Sequence, residues 1–147
     1  MDLREQLESS LKESVRAGDD VRKRTLRMAL SSIRLAEIDK GARLDDSGVM
    51  AILQKEIKSR HEAITDAERA NRPDLIRESQ AEIAVIEDFL PKAMSPVELE
   101  ELARQAIAEV GATNVKEMGQ VMKVLMPRLQ GRASGDQASQ AVRRLLQ

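Results

Sequence analysis

Residues 116–135 read KEMGQVMKVLMPRLQGRASG and join an amphipathic helical pattern to a basic turn flanked by glycines. The apolar residues recur every three or four positions, as on one face of a helix: Met118, Val121, Met122, Leu125 and Leu129. We expect Thr113 or Asn114 to cap this helix and Pro127 to stop or kink it, because proline lacks the amide that a helix interior uses. The methionines predict a pliable core-facing surface, and the glycines predict a turn into a last helix after Asp136.

Five further segments upstream repeat the helical period, separated by glycine, proline or acidic capping residues. The predicted core positions of the first two helices are Leu3, Leu7, Leu11, Val15, Leu26, Ala29, Leu30, Ile33 and Ile38. Asp45 and Asp46 are expected to cap a third helix, and a fourth starts at Pro73, carries Leu75 and closes on the Phe89–Leu90 pair. The Ser95 to Glu98 segment has the pattern of a capping box for the fifth helix.

No segment alternates like a strand, so the sequence predicts an all-α fold. Pro91 marks the expected boundary between two modules. Residues 1–93 would form an N-terminal bundle of about four helices, and residues 94–147 a small C-terminal three-helix domain.

Composition narrows the class of protein. The 147 residues include no cysteine, which excludes disulfides, a thiolate nucleophile and a zinc–cysteine site. A basic leader followed by an apolar run is absent, and no stretch approaches the ~20 apolar residues of a membrane span. We therefore expect a cytoplasmic protein without a membrane partner.

Candidates for chemistry are few. His61 has no nucleophile to activate, and the pair Asp45–Asp46 lacks the spacing of a calcium loop. The GRASG turn at 131–135 is not a P-loop, although it could either present amides to an anion at a helix start or serve only as a turn. Glu56 and Arg60 suit a structural ion pair at the edge of the core. We predict no catalytic residue, metal site or cofactor.

Basic residues supply the main functional signal. From Gly111 to Gln147 the net charge is +4, whereas the whole chain has -1. The predicted phosphate contacts are Lys116, Lys123, Arg128, Arg132 and Arg143, with a second patch of Arg22, Arg27, Lys55 and Lys58. Since Phe89 is the chain's single aromatic residue, recognition would rest on phosphates and shape, as for tRNA or another structured RNA. An alternative is a protein-binding adaptor that docks a partner through Val124 and Met126.

The sequence also resembles the YqeY family. The likeness rests on VRKRTLRMALSSIR at 21–34 with the AEI that follows, LQKEIKSR at 53–60, LPK at 90–92 and MGQVMKVLMP at 118–127 followed by GRA. The family usually continues GRA with Asp-Gly, where this chain has Ser134-Gly135-Asp136. The C-terminal part of the family is related to the tail domain of the B subunit of the glutamine-dependent aminoacyl-tRNA amidotransferase.

This resemblance implies an all-helical protein of two modules, the second like the domain that contacts tRNA in the amidotransferase. It also implies a carbon–nitrogen ligase label with glutamine as amide donor. The residues themselves provide no nucleophile for glutamine hydrolysis and no nucleotide site. We therefore expect an RNA-binding accessory protein without independent catalysis, with the adaptor and the ligase component as alternatives.

Overall fold

A computed structural model describes all residues, 1–147, and contains seven α-helices and no strand, which confirms the all-α prediction. The helices are α1 (Leu3–Ala17), α2 (Asp20–Lys40), α3 (Asp46–Arg69), α4 (Pro73–Glu87), α5 (Pro96–Val110), α6 (Met118–Leu129) and α7 (Gly135–Leu146). A 3-10 turn, Val115–Glu117, precedes α6. The chain divides into a first compact unit, Met1–Leu90, and a second, Pro91–Gln147. None of the helices is both long and apolar enough to cross a membrane.

The helix starts follow the acidic and hydroxyl residues of the sequence. The side chain of Asp45 accepts from the amide of Gly48, which confirms its capping role. Ser95 and Glu98 form the predicted capping box of α5. Gly18 and Gly41 end α1 and α2 with φ of 70° and 72°, a left-handed conformation that glycine adopts without a Cβ clash. The local sequence therefore determines where most helices begin and end.

The first unit packs an aliphatic core between α1, α2, α3 and α4, and α2 contacts all three other helices. Its fully buried large side chains include Leu7, Leu26, Ile33, Leu53 and Ile86. Phe89 and Leu90 pack against this core from the turn after α4, because the helix ends at Glu87 rather than at the predicted Phe89–Leu90 pair.

Three predicted core positions of the first unit are wrong: Val15, Ile38 and Leu75 are exposed. A four-residue spacing advances about 400° around a helix, so a run of such steps drifts off one face by about 40° each time. Val15 lies three such steps beyond Leu3, so it has drifted off the buried face. Ser14 is buried in its place, and its hydroxyl donates to the carbonyl of Leu11. Ile38 lies five residues beyond Ile33 and hence about 140° away from it on α2.

The second unit packs α5, α6 and α7 around a core rich in alanine. Ala103, Ala106 and Ala138 are fully buried, and small side chains allow helices to approach closely. Val121, Leu125 and Val142 fill the space between them. The methionines at 118 and 122 pack against this core as predicted, whereas Met126 is exposed.

Three local details of this unit differ from the predictions. Asn114 caps the 3-10 turn, so α6 starts only at Met118. Of the two outcomes expected at Pro127, a stop or a kink, the stop is wrong, because the helix continues through the proline to the buried Leu129. The cap of α7 is Ser134, since its side chain accepts from the amide of Gln137 while Gln137 accepts from the amide of Ser134. The expected start of this helix after Asp136 is therefore too late, since Asp136 lies in its first turn.

A buried arginine joins three helices of the first unit. Arg60 of α3 is only 6% exposed. Its guanidinium donates to Glu56 at 2.8 Å and to Glu82 of α4 at 2.8 Å, which confirms the predicted pair with Glu56. The hydroxyl of Ser32 on α2 donates to the same Glu56 carboxylate at 2.6 Å. Each buried charge thus has an opposite charge, as a stable interior requires.

Candidate functional site

The predicted cations of the second unit fall into two sets. Lys116 lies in the 3-10 turn, Lys123 on the outer face of α6 and Arg143 on α7; all three are exposed and their side chains have no carboxylate partner. Arg128 and Arg132 are instead bound to carboxylates of their own unit. The first set is therefore the one that can contact a ligand without breaking an ion pair.

Arg128 spans two helices. Its guanidinium lies 2.6 Å from a carboxylate oxygen of Glu109 on α5. This hydrogen bond lowers the pKa of the Glu109 carboxyl below its usual range and raises the pKa of Arg128. Both side chains are partly exposed, so the pair adds little to stability, but a phosphate at Arg128 would have to compete with Glu109.

Arg132 holds the segment before α5 against the turn after α6. Its Nε donates to the carbonyl of Lys92 at 3.0 Å, and its guanidinium lies 2.8 Å from Glu98. The amide of Met94 donates to the carbonyl of Arg132 at 2.8 Å. Arg132 therefore stabilises the fold of the second unit, a role that the sequence analysis did not anticipate.

Arg143 belongs to an open depression of about 330 Å³ at the carboxyl end of α7. The residues that line it are Gln140, Arg143, Arg144 and Gln147. Guanidinium and amide groups donate hydrogen bonds to phosphate oxygens, and guanidinium does so with two parallel bonds. The sequence analysis missed Arg144 and the two glutamines, although their three- and four-residue spacing places them on one helical face.

Arg22 of the second predicted patch is engaged within the first unit. Its guanidinium donates to Ser10 at 3.0 Å and to Asp88 at 3.0 Å, and it stands over the ring of Phe89 at 5.4 Å from the centroid. This arginine thus connects α1, α2 and the end of α4. Arg27 on α2 and Lys55 and Lys58 on α3 are exposed.

The glycine-flanked turn at 131–135 serves as a helix start. Because Ser134 and Gln137 satisfy each other's amides, those two amides are already bonded within the turn. Gln130 and Gly131 take positive φ values of 49° and 75°, which lets the chain reverse between α6 and α7. His61 is exposed on α3, and no group of three or more His, Cys, Asp or Glu side chains could hold a metal ion.

A family model described as Yqey-like protein matches residues 4–146. The chain belongs to the YqeY family. The match covers both compact units, and it confirms the resemblance that the quoted segments carry.

Curated relatives of this YqeY protein are fungal. The chain is 32% identical over 111 residues to "Altered inheritance of mitochondria protein 41, mitochondrial" from Lachancea thermotolerans, covering 74% of this chain and 59% of the relative. It is 37% identical over 85 residues to the protein of that name from Vanderwaltozyma polyspora, covering 57% and 46%. For the Eremothecium gossypii protein the identity is 33% over 103 residues, covering 69% and 56%.

The YqeY chain thus spans about half the length of the curated relatives it matches. Their names describe them as mitochondrial, which contradicts the expectation of a cytoplasmic protein. That expectation rested on composition and on the pattern of the first residues of the sequence, neither of which identifies a compartment.

Proposed function

We propose that this YqeY protein binds tRNA or another structured RNA through its second unit. The observation that carries the proposal is the set of exposed cations without carboxylate partners: Lys116, Lys123, Arg143 and Arg144. Contact with a phosphate breaks no ion pair of such a residue, and each contact releases counterions from the nucleic acid. Arg128 and Arg132 are neutralised by Glu109 and Glu98, so they are not part of this set.

The chemistry of these residues favours backbone contacts over base reading. The lysines are compact point charges on flexible side chains. Each of the two arginines of α7 can donate two parallel hydrogen bonds to a phosphate. The second unit contains no aromatic side chain on which a base could stack. Recognition would therefore depend on the path of the phosphates in a folded RNA.

The resemblance described above implies that the family's C-terminal part is related to the amidotransferase tail, and this implication supports the same proposal. We infer that this chain is an accessory protein that binds RNA and assists tRNA metabolism. We assign no catalytic step to His61, which is exposed on α3, or to the amides of Ser134 and Gln137, which bond to each other's side chains.

The proposal is tested by the affinity of the purified chain for bulk tRNA, measured by fluorescence anisotropy at low salt. We expect Lys123→Ala and Arg143→Ala to weaken binding, and the double variant to weaken it further. Lys12→Ala is the matched control, because Lys12 is an exposed, unpaired cation on α1 of the first unit. Equal losses in all three single variants, or no binding by the unaltered chain, would overturn the proposal.

A further inference from the structure

Three large apolar side chains lie exposed along α2. Met28 is 48% exposed, Leu35 is 63% exposed and Ile38 is 68% exposed. Other large apolar residues that reach the surface, such as Val15 on α1 and Val97 on α5, occur singly on their helices. An isolated exposed residue is ordinary, but a run of them on one helical face marks an interaction surface.

The spacing of this run is that of paired helices. Met28, Ser31, Leu35 and Ile38 follow one another at steps of three, four and three residues, which places them on one stripe of α2. We call these four residues the α2 seam. One end of the seam contacts α3, since the sulfur of Met28 accepts from the guanidinium of the buried Arg60 at 3.9 Å.

The two edges of the α2 seam differ in charge. Arg27 and Arg34 lie along one edge, exposed and without a carboxylate partner. Ser32 and the exposed, unpaired Asp39 lie along the other edge. The Ser32 edge is the one beside α3, because the Ser32 hydroxyl donates to Glu56.

This asymmetry decides how a second copy could pair with the seam. In an antiparallel pair related by a two-fold axis, each edge faces the same edge of the other copy, so Arg27 and Arg34 would face arginines. In a parallel pair, a residue on one edge faces the residue five positions later on the opposite edge of the other helix. Arg34 of one copy then meets Asp39 of the second copy, and the symmetric contact forms as well.

We propose that the α2 seam is a self-association surface on which a second copy of this chain docks with its α2 parallel. The apolar side chains of Leu35, Ile38 and Met28 would be buried between the two helices, with two Arg34–Asp39 pairs at the edges. This inference is independent of RNA binding, which is assigned to cations of the second unit.

The size of the seam predicts a weak dimer. It offers about three large side chains per copy, which is at the small end of specific interfaces. We therefore expect dimerisation that depends on concentration across roughly 10 µM to 1 mM. The test is sedimentation equilibrium of the full chain, whose monomer has a mass of 16.4 kDa.

The unaltered chain should approach twice the monomer mass as its concentration rises. Leu35→Glu combined with Ile38→Glu should remain monomeric at every concentration. Val97→Glu is the matched control, since it removes an exposed apolar residue outside the seam and should leave association unchanged. A chain that is monomeric throughout, or a dimer that survives the Leu35 and Ile38 changes, would overturn the proposal.

The charge pair tests the parallel orientation without altering the apolar stripe. Arg34→Asp and Asp39→Arg should each weaken the dimer by roughly tenfold, because each change disrupts two symmetric pairs. The double variant should recover most of the lost affinity. A single reversal that tightens the dimer, or a double variant that recovers nothing, would contradict the parallel arrangement.

Discussion

Arg60 connects α3 to α4 through its guanidinium. Only part of this contact could be derived from the sequence. Its four-residue spacing from Glu56 predicts that pair, but Glu82 lies on another helix, 22 residues away. Only the packing of α3 against α4 brings this second carboxylate to the guanidinium. A buried arginine with two carboxylates also explains why Glu56 and Glu82 can lie so near the core.

Removing this arginine should be costly. Arg60→Ala leaves the poorly exposed Glu56 carboxylate without its cation and Glu82 with only Arg24, at 3.4 Å, so we expect a loss of about 3 kcal/mol in the free energy of unfolding. Urea denaturation followed by circular dichroism measures it. Arg27→Ala is the control, because Arg27 is exposed and unpaired and should change stability by less than about 0.5 kcal/mol. Equal effects of the two substitutions would show that the buried cluster does not stabilise the unit.

Glu37 gives a prediction about pH. Its carboxylate accepts from Arg4 and, at 2.8 Å, from the amide of Leu44, and these bonds lower its pKa from the ordinary 4.5. A lowered pKa in the folded state means that the ionised group stabilises the fold above pH 4.5 and that this contribution is lost as the pH falls further. The Glu37→Gln variant should therefore be less stable than the unaltered chain at neutral pH. The gap in urea midpoint should close below pH 4.5; a gap that widens in acid would refute this assignment.

At the scale of single elements, the sequence predicts most helices because their caps are local. The capping box of α5 requires only Ser95 and Glu98, and glycine ends α1 and α2. Exposed faces are harder to predict, since Ile38 has the identity of a core residue, although its position about 140° from Ile33 on α2 leaves it in solvent. The same limit applies to the cations, because ion pairs such as Arg128 with Glu109 join separate helices.

The cap of α7 provides a test at this scale. Ser134→Ala removes the side-chain oxygen that accepts from the amide of Gln137 at 3.1 Å, so we expect a loss of about 1 kcal/mol in the stability of the second unit. Ser139→Ala within the same helix is the control. It should be neutral or slightly stabilising, because alanine favours helix interiors. Thermal unfolding of the two variants distinguishes these outcomes, and identical melting temperatures would contradict the capping role.

At the scale of the whole molecule, each unit has its own core. The buried cluster of the second unit contains only residues between Leu99 and Leu146, and that of the first only residues between Leu3 and Ile86. Two separate cores are consistent with independent folding. The sequence predicts a boundary at Pro91. Whether each module folds without the other depends on its own free energy of unfolding, which helical periodicity does not give.

We therefore predict that a fragment of residues 91–147 folds alone, with helical circular dichroism and a cooperative melt. A fragment that starts at Ser95 keeps the cap of α5 but should melt at lower temperature, because it lacks the contacts of Lys92 and Met94 with Arg132. A fragment 91–147 that is unfolded, or two fragments of equal stability, would contradict this account of the second unit.

The proposed RNA binding depends on cations that have no carboxylate partner. The salt dependence of the affinity for RNA measures their contacts with phosphates most directly. The affinity for bulk tRNA is determined across a series of salt concentrations for the unaltered chain and for the combined Lys116→Ala, Lys123→Ala and Arg143→Ala variant. The logarithm of the affinity should fall linearly with the logarithm of the salt concentration, and the variant should lose about one unit of slope for each phosphate contact removed. A variant with the same affinity and slope as the unaltered chain would show that these three residues do not contact RNA.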